Sequence, residues 1–310
     1  MAETSRRSTA VPSAATASRG SAYLLLLLVI LLWGANWPVM KVGLNHIPPL
    51  WFAVARMAMG AITLFGVLAL SGRLARPTRH DLPLLLSVGL LQMAGFLALV
   101  NFGLLHVDAG RSAILAYTTP LWVVPGAVLL LGERVTRLKL IGLLLGLAGV
   151  AVMFNPFGFD WTRSEVVLGN GLLMLAAIIW AGAILHIRRH VWHLSPLQLA
   201  PWQMLVALPP LLGLALWLEG DAPIRWSGEL LMVLIYNGPI ASAFCYWAAV
   251  TVTRALPAIT TSLGFLGVPV VGVAVSALSL GESLTATLLA GFGLILAGLL
   301  FVNLADQRER

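Results

Sequence analysis

The chain has 310 residues, of which 59% are hydrophobic and 10% charged, with a net charge of +7. Soluble domains carry about 25% charged residues, so there is too little charge here to cover a water-facing surface, and the chain reads as an integral membrane protein. Its basic residues are scattered in short loops between apolar runs, which excludes the nucleic-acid partner that a positive charge invites. The single cysteine, Cys245, excludes an intrachain disulfide and a cysteine-based metal site.

Residues 1–21 open with a Ser/Ala/Thr-rich stretch without apolar periodicity and predict a disordered cytoplasmic tail. The apolar run that follows is too long for a signal-peptide core, and no small-residue cleavage site comes after it. A bilayer core takes about 20 apolar residues per helix. Ten runs meet that need: 22–44, 49–71, 82–105, 112–131, 138–155, 166–187, 197–218, 230–252, 258–280 and 285–304. None alternates as a strand would, and an open sheet edge has no place in lipid. The expected fold is therefore an all-α integral membrane protein with ten transmembrane helices.

Lysine and arginine give the orientation. With the N-terminus inside, Arg6, Arg7, Arg19, Arg73, Arg76, Arg79, Arg134, Arg137, Lys139, Arg188, Arg189, Arg254, Arg308 and Arg310 fall on the inner side. Only Lys41, Arg111, Arg163 and Arg225 fall outside, and Arg56 lies within a helix. That bias predicts that both termini are cytoplasmic.

The chain also contains one stretch twice. Residues 110–155 return as 259–304 at a constant offset of 149, without a gap. Pro120 falls on Pro269, Leu131-Gly132-Glu133 on Leu280-Gly281-Glu282, Thr136 on Thr285, Gly142 on Gly291 and Gly149 on Gly298. Ahead of it the match is weaker. At an offset of 147, Trp33-Gly34-Ala35-Asn36 meets Trp180-Ala181-Gly182-Ala183, Lys41 meets Arg188, Pro49 meets Pro196 and Arg56 meets Gln203. Gly89 meets Gly238 at 149. A fixed register of this kind is the mark of a duplication. The repeats are 22–155 and 166–304, joined by a periplasmic linker at 156–165 and followed by a cytoplasmic tail at 305–310. Five runs per copy is an odd number, so the copies point in opposite directions. Charge agrees: Arg134, Arg137 and Lys139 follow the first Leu-Gly-Glu, whereas Ser283, Ala286 and Leu288 hold the equivalent places after the second. Inverted repeats typify secondary transporters, whose site lies near the midplane between the copies.

These residues resemble the drug/metabolite transporter superfamily and, within it, the EamA-like exporters. The marks are Trp33, Gly34 and Asn36 in the first run, Arg56 in the second, and the Pro-to-Glu spacing ending in Leu-Gly-Glu in the fourth and ninth. The resemblance covers nearly the whole chain apart from the tails. It implies ten helices, a central cavity between the halves, and alternating access for metabolites, with amino acids as frequent cargo. The second half departs from the pattern, with Ala183 in place of the Asn and Gln203 in place of the Arg, so a site carried over is asymmetric.

Arg56 is the sharpest candidate, because a charge inside a transmembrane helix faces a cavity or a partner. It lies about 10 Å below the outer end of its helix, at a depth similar to that of Asn36 and Trp37. Its planar fork of donors suits a carboxylate; the alternative is that it snorkels outward and ties helix ends together. Gln92, Tyr117, Trp180, Gln203, Tyr236 and Trp247 place amide and aromatic groups at mid-membrane, where an apolar pocket with few polar groups suits a small organic solute. Interfacial aromatic belts are the competing reading. Pro38, Pro120 and Pro269 interrupt helices and are candidates for gates or bends. Lys41 reads as a surface anchor. Glu133 and Glu282 read as structural, each capping the helix that follows it. Gly142, Gly146 and Gly149 form a small-residue face for close helix contact; packing within the chain is the first reading and a homodimer the second.

All twelve acids lie in tails or at helix ends, which weighs against polycationic drugs as cargo and toward zwitterionic, anionic or neutral solutes. If protons are coupled, His186 or His106 is the titrating group, since histidine titrates near neutral pH. No H-E-x-x-H, G-x-S-x-G or P-loop pattern occurs, which argues against a membrane-embedded enzyme and an ATP-driven pump. No cofactor or metal is expected. The function expected is secondary transport across a bacterial inner membrane, with export of amino acids or related metabolites as the leading case. Export of drugs or other organic solutes and a passive channel are the alternatives.

Overall fold

The computed structural model describes residues 18–154, 162–281 and 285–308. Among these residues the regular structure is helical throughout, with no strand. The helices are α1 Arg19–Gly43, α2 Pro49–Leu70, α3 Arg79–His106, α4 Ala109–Leu131, α5 Arg137–Phe154, α6 Ser164–Arg189, α7 Pro196–Glu219, α8 Gly228–Ala255, α9 Ala258–Leu280 and α10 Ala286–Arg308. Eight are long and apolar enough to cross a membrane, and Leu289–Ala305 within α10 is a shorter apolar helix. The sequence expects ten spans. The remaining helix, α5, is 18 residues long and begins with Arg137 and Lys139 in its first turn.

Helix α1 starts at Arg19, with the Ser18 hydroxyl accepting from the Ser21 N–H at 3.2 Å, and α6 starts at Ser164. Regular helix therefore claims the last residues of the expected tail and linker. Residues 1–17 of the tail, 156–161 of the linker, Glu282 and the final two residues lie outside the described residues. The repeated Leu-Gly-Glu has a backbone cause. Gly132 ends α4 at φ 66° and Gly281 ends α9 at φ 70°, the left-handed conformation that only glycine enters at no steric cost.

Both of these helices are broken. Helix α4 divides into Ala109–Ala116 and Pro120–Leu131, and α9 into Ala258–Gly264 and Gly267–Leu280. Pro120 and Pro269 stand in the first turn of their second halves, where a missing N–H leaves no helical bond unmade. Pro38 behaves otherwise: α1 runs unbroken through it, so the interruption expected there does not occur. Its neighbours Trp37 and Met40 are buried, and packing holds the turns on either side in one helix.

A second symmetric irregularity is invisible in the residue pattern. Ser87–Gly95 in α3 and Tyr236–Phe244 in α8 are both π-helical, nine residues each, and they correspond at the same offset of 149. Such wide turns are rare and concentrate at functional sites.

The halves interleave. Helix α1 packs on α8 and α9, and α2 packs on α7 and α8. Helices α5 and α10 lie against each other through glycine. A Cβ built on Gly142 would meet the Gly298 carbonyl oxygen at 2.8 Å, and one on Gly149 would meet the Gly291 carbonyl oxygen at 2.7 Å. The small-residue face is thus occupied within the chain.

Candidate functional site

Helix α1 presents Trp33, Asn36, Trp37 and Met40 at the spacing that lines one helix face. Facing them are Arg56 from α2, Phe96, Leu97 and Val100 from α3, Tyr117 from the break in α4, Trp180 from α6 and Tyr246 from α8. Together they line a narrow cavity of about 30 Å³. A single water needs roughly 10–15 Å³ by that measure, so the walls must part to admit anything larger than a few waters.

Arg56 is 2% exposed. Its Nε donates to Ser242 Oγ at 3.0 Å and its Nη1 to the Met40 sulfur at 3.3 Å. Both partners are neutral, and among the described residues no carboxylate lines the cavity. The side chain does not snorkel: it turns into the bundle toward α8. Asn36 is 3% exposed, and its Oδ1 has no partner among the described residues. Trp180 Nε1 is equally buried and equally unpaired.

Around these polar atoms stands a box of rings. Trp33 meets Trp180 edge-on at 5.3 Å between centroids and Tyr246 at 5.4 Å. Phe96 lies 4.5 Å from Trp180, and Trp37 lies 6.3 Å from Tyr117. Phe265, from the break in α9, closes the box behind Trp33 and Tyr117. One guanidinium and one amide in the wall of an aromatic enclosure can hold a small amphipathic solute: charge or hydrogen bonds at one end, apolar surface and cation–π contact at the other.

Of the residues singled out by sequence, the structure brings together Asn36, Trp37, Arg56, Tyr117 and Trp180. The other four lie elsewhere. Gln92 and Gln203 are fully buried, off the cavity wall, with their amide atoms unpaired among the described residues. The Tyr236 hydroxyl donates to the Leu32 carbonyl at 2.8 Å, and its ring borders a separate groove beside Pro38 and Val39. Trp247 stacks edge-on against Phe244 at 5.6 Å. Trp33, Tyr246 and Ser242 were not among the candidates. Trp33 had a signal, since it begins the first-helix motif. Ser242 and Tyr246 had none beyond their place in a long run.

The charged helix ends are spent on helix termini. Glu133 does not cap the helix that follows it, which Thr136 does by accepting from the Lys139 N–H at 3.4 Å. Instead its carboxylate accepts from the Ala258 and Ile259 N–H groups of α9, at 2.7 and 3.1 Å. Glu219 repeats the device at the other end of the bundle, accepting from the Leu50 and Trp51 N–H groups of α2 at 2.7 and 3.0 Å. Both helices begin after a proline that has no side-chain acceptor to offer, Pro257 and Pro48. Lys41 points its ammonium at the Leu104 and Val107 carbonyls at the end of α3, which answers the negative pole of that helix. His186 Nδ1 pairs with Ser87 Oγ at 2.6 Å, and His106 sits exposed in the last turn of α3, both away from the cavity.

Two stretches, residues 20–155 and 167–304, match the EamA-like transporter family. A probable amino-acid metabolite efflux pump of Salmonella typhimurium is 32% identical over 306 residues, covering 92% of this chain and 95% of its own length. An uncharacterised transporter of Bacillus subtilis is 27% identical over 282 residues, covering 91% of this chain and 96% of its own. A crystal structure at 23% identity superposes with a TM-score of 0.73 and covers 94% of this chain and 100% of that one, which makes the fold a shared one.

Proposed function

The chain belongs to the EamA-like transporter family, and on that premise we propose that it exports amino acids or related small metabolites across a bacterial inner membrane by alternating access. It is a transporter and not an enzyme. In this proposal all ten helices cross the bilayer, the two halves are inverted repeats with both termini in the cytoplasm, and cargo binds in the cavity between them. The observation that carries the cargo class is Arg56. A guanidinium 2% exposed, in a cavity that no carboxylate lines among the described residues, carries an uncompensated charge inside a membrane protein. A cargo carboxylate settles it bidentately. Asn36 Oδ1, an acceptor unpaired among the described residues, then suits the cargo ammonium, and the ring box suits the cargo's side chain.

The relative from Salmonella, by its description, points to the same cargo class. Export of organic cations has one feature in its favour, the aromatic box, since ring faces attract cations. Arg56 in the same wall repels them. The experiment is counterflow in proteoliposomes loaded with unlabelled solute. Accelerated entry of labelled amino acids, without ethidium efflux, is the expected result. Robust ethidium efflux with no exchange of any amino acid or other anionic or neutral solute overturns the proposal. Entry that trapped solute fails to accelerate marks a channel instead.

A further inference from the structure

The repeats each carry a tryptophan at the same place, and the two indoles stand in unlike surroundings. Trp33 and Trp180 correspond at an offset of 147, while the two π-helical stretches correspond at 149, so that Ala241 is the counterpart of Gln92. Trp33 Nε1 donates to the Ala241 carbonyl at 2.8 Å. By repeat symmetry the acceptor for Trp180 Nε1 is the Gln92 carbonyl. That carbonyl is engaged by the Tyr246 hydroxyl at 3.3 Å, and the Tyr246 ring lies 6.0 Å from that of Trp180. The counterpart of Tyr246 in the first repeat is Leu97, which has no hydroxyl. The asymmetry is therefore written in the sequence: one indole is satisfied by the protein, and the other is left with a buried N–H on the cavity wall that is unpaired among the described residues. A donor buried without an acceptor costs folding free energy, and here it stands beside the Arg56 guanidinium's cavity, where an acceptor-rich cargo would be held.

We propose that Trp180 is a cargo-binding residue whose indole N–H donates to the carboxylate of an α-amino acid held by Arg56, and that Tyr246 is the positioning residue that keeps it free by holding the Gln92 carbonyl. The proposal rests on the amino-acid reading above. A carboxylate has about four lone-pair sites, so a bidentate contact with Arg56 leaves capacity for the indole. With the Tyr246 hydroxyl gone, Trp180 turns to the Gln92 carbonyl as Trp33 turns to that of Ala241, and the donor is lost to cargo.

The test is counterflow in proteoliposomes with the twenty ¹⁴C-labelled protein amino acids, taken singly, followed by KM and Vmax on the one exchanged fastest. Trp180→Phe keeps a ring against Trp33, Phe96 and Tyr246 while removing the N–H. It is expected to raise KM about 10- to 100-fold, the worth of one hydrogen bond to a charged group, with little change in Vmax. Tyr246→Phe is expected to raise KM as well. The double variant is expected to be no worse than Trp180→Phe alone, because the hydroxyl acts through the indole. A merely structural Tyr246 predicts additive losses, and additivity overturns its positioning role. An unchanged KM in Trp180→Phe overturns the proposal. If Trp180→Phe fails to fold, 3-benzothienylalanine at position 180 removes the N–H at constant shape and is read the same way. A wild-type protein that exchanges none of the twenty amino acids overturns this inference, and the cargo reading falls with it where no related anionic or neutral metabolite exchanges either. A wild-type protein that exchanges one, with KM unmoved by either substitution, overturns this inference alone.

Discussion

Removing the Glu133 carboxylate is the sharpest structural perturbation available away from the cavity. Its two oxygens accept from Ala258 and Ile259 at 2.7 and 3.1 Å, and they are the cap that Pro257 cannot provide. Arg188 Nε lies 3.9 Å away, a secondary contact at best, and its Nη1 is engaged with the Arg254 carbonyl at 2.8 Å. Hydrogen bonds to a charged group are worth about 1.5–3 kcal/mol each. The side chain is 14% exposed, so water recovers part of that once the carboxylate is gone. Loss of an N-cap alone costs about 0.5–2 kcal/mol. Glu133→Ala should therefore destabilise the protein by ~2–4 kcal/mol. In detergent that is a fall in Tm of roughly 3–6 °C for a chain of this size. Glu133→Gln keeps one oxygen as an acceptor and should lose about half as much. Glu219→Ala, which removes the same two bonds from α2 at the opposite end, should behave like Glu133→Ala. The assay is thermal unfolding of the purified variants, followed by intrinsic fluorescence. If Glu133→Ala melts within a degree of wild type while Glu219→Ala falls, the cap on α9 is not what holds that end of the bundle.

Two further substitutions test the fold's repeated elements. Gly149→Ala places a Cβ 2.7 Å from the Gly291 carbonyl oxygen; α5 and α10 must separate, and a loss of about 1–3 kcal/mol is expected from overpacking, read as a lower Tm and poorer yield in the membrane fraction. Gly132→Ala meets no neighbour but sits at φ 66°; it should cost about 1 kcal/mol from backbone strain alone, and a larger effect in the same melt would mean the left-handed turn is not its cause.

Much of this protein is legible in its sequence because lipid and symmetry both constrain it. Long apolar runs give helices, and a Pro, a Leu-Gly-Glu and two glycines in one register give the duplication. The left-handed glycines and the broken α4 and α9 explain why those residues recur. What is not legible depends on partners far away in the chain. Ser242 reaches Arg56 across a separation of 186 residues, and Glu133 finds its partners 125 residues on. No periodicity reports such pairs. Gln92 and Gln203 are polar and lie inside long apolar helices, as a binding residue would, yet they are buried between helices off the cavity wall. Polarity and depth in a span do not fix which face of the helix meets the cavity. Trp33 lay inside the motif that carried the resemblance, but its fixed hydrogen bond to Ala241 appears only once the π-helical turn of α8 brings that carbonyl round.

The central claim, a cavity whose cargo is held by Arg56, is tested most directly by counterflow on Arg56→Ala in proteoliposomes, with folding checked by its melt. The account predicts that the variant remains folded and that exchange of the amino acid carried by the wild type falls by at least about 100-fold, the loss of a bidentate charged pair. Wild-type KM and Vmax in Arg56→Ala would contradict it.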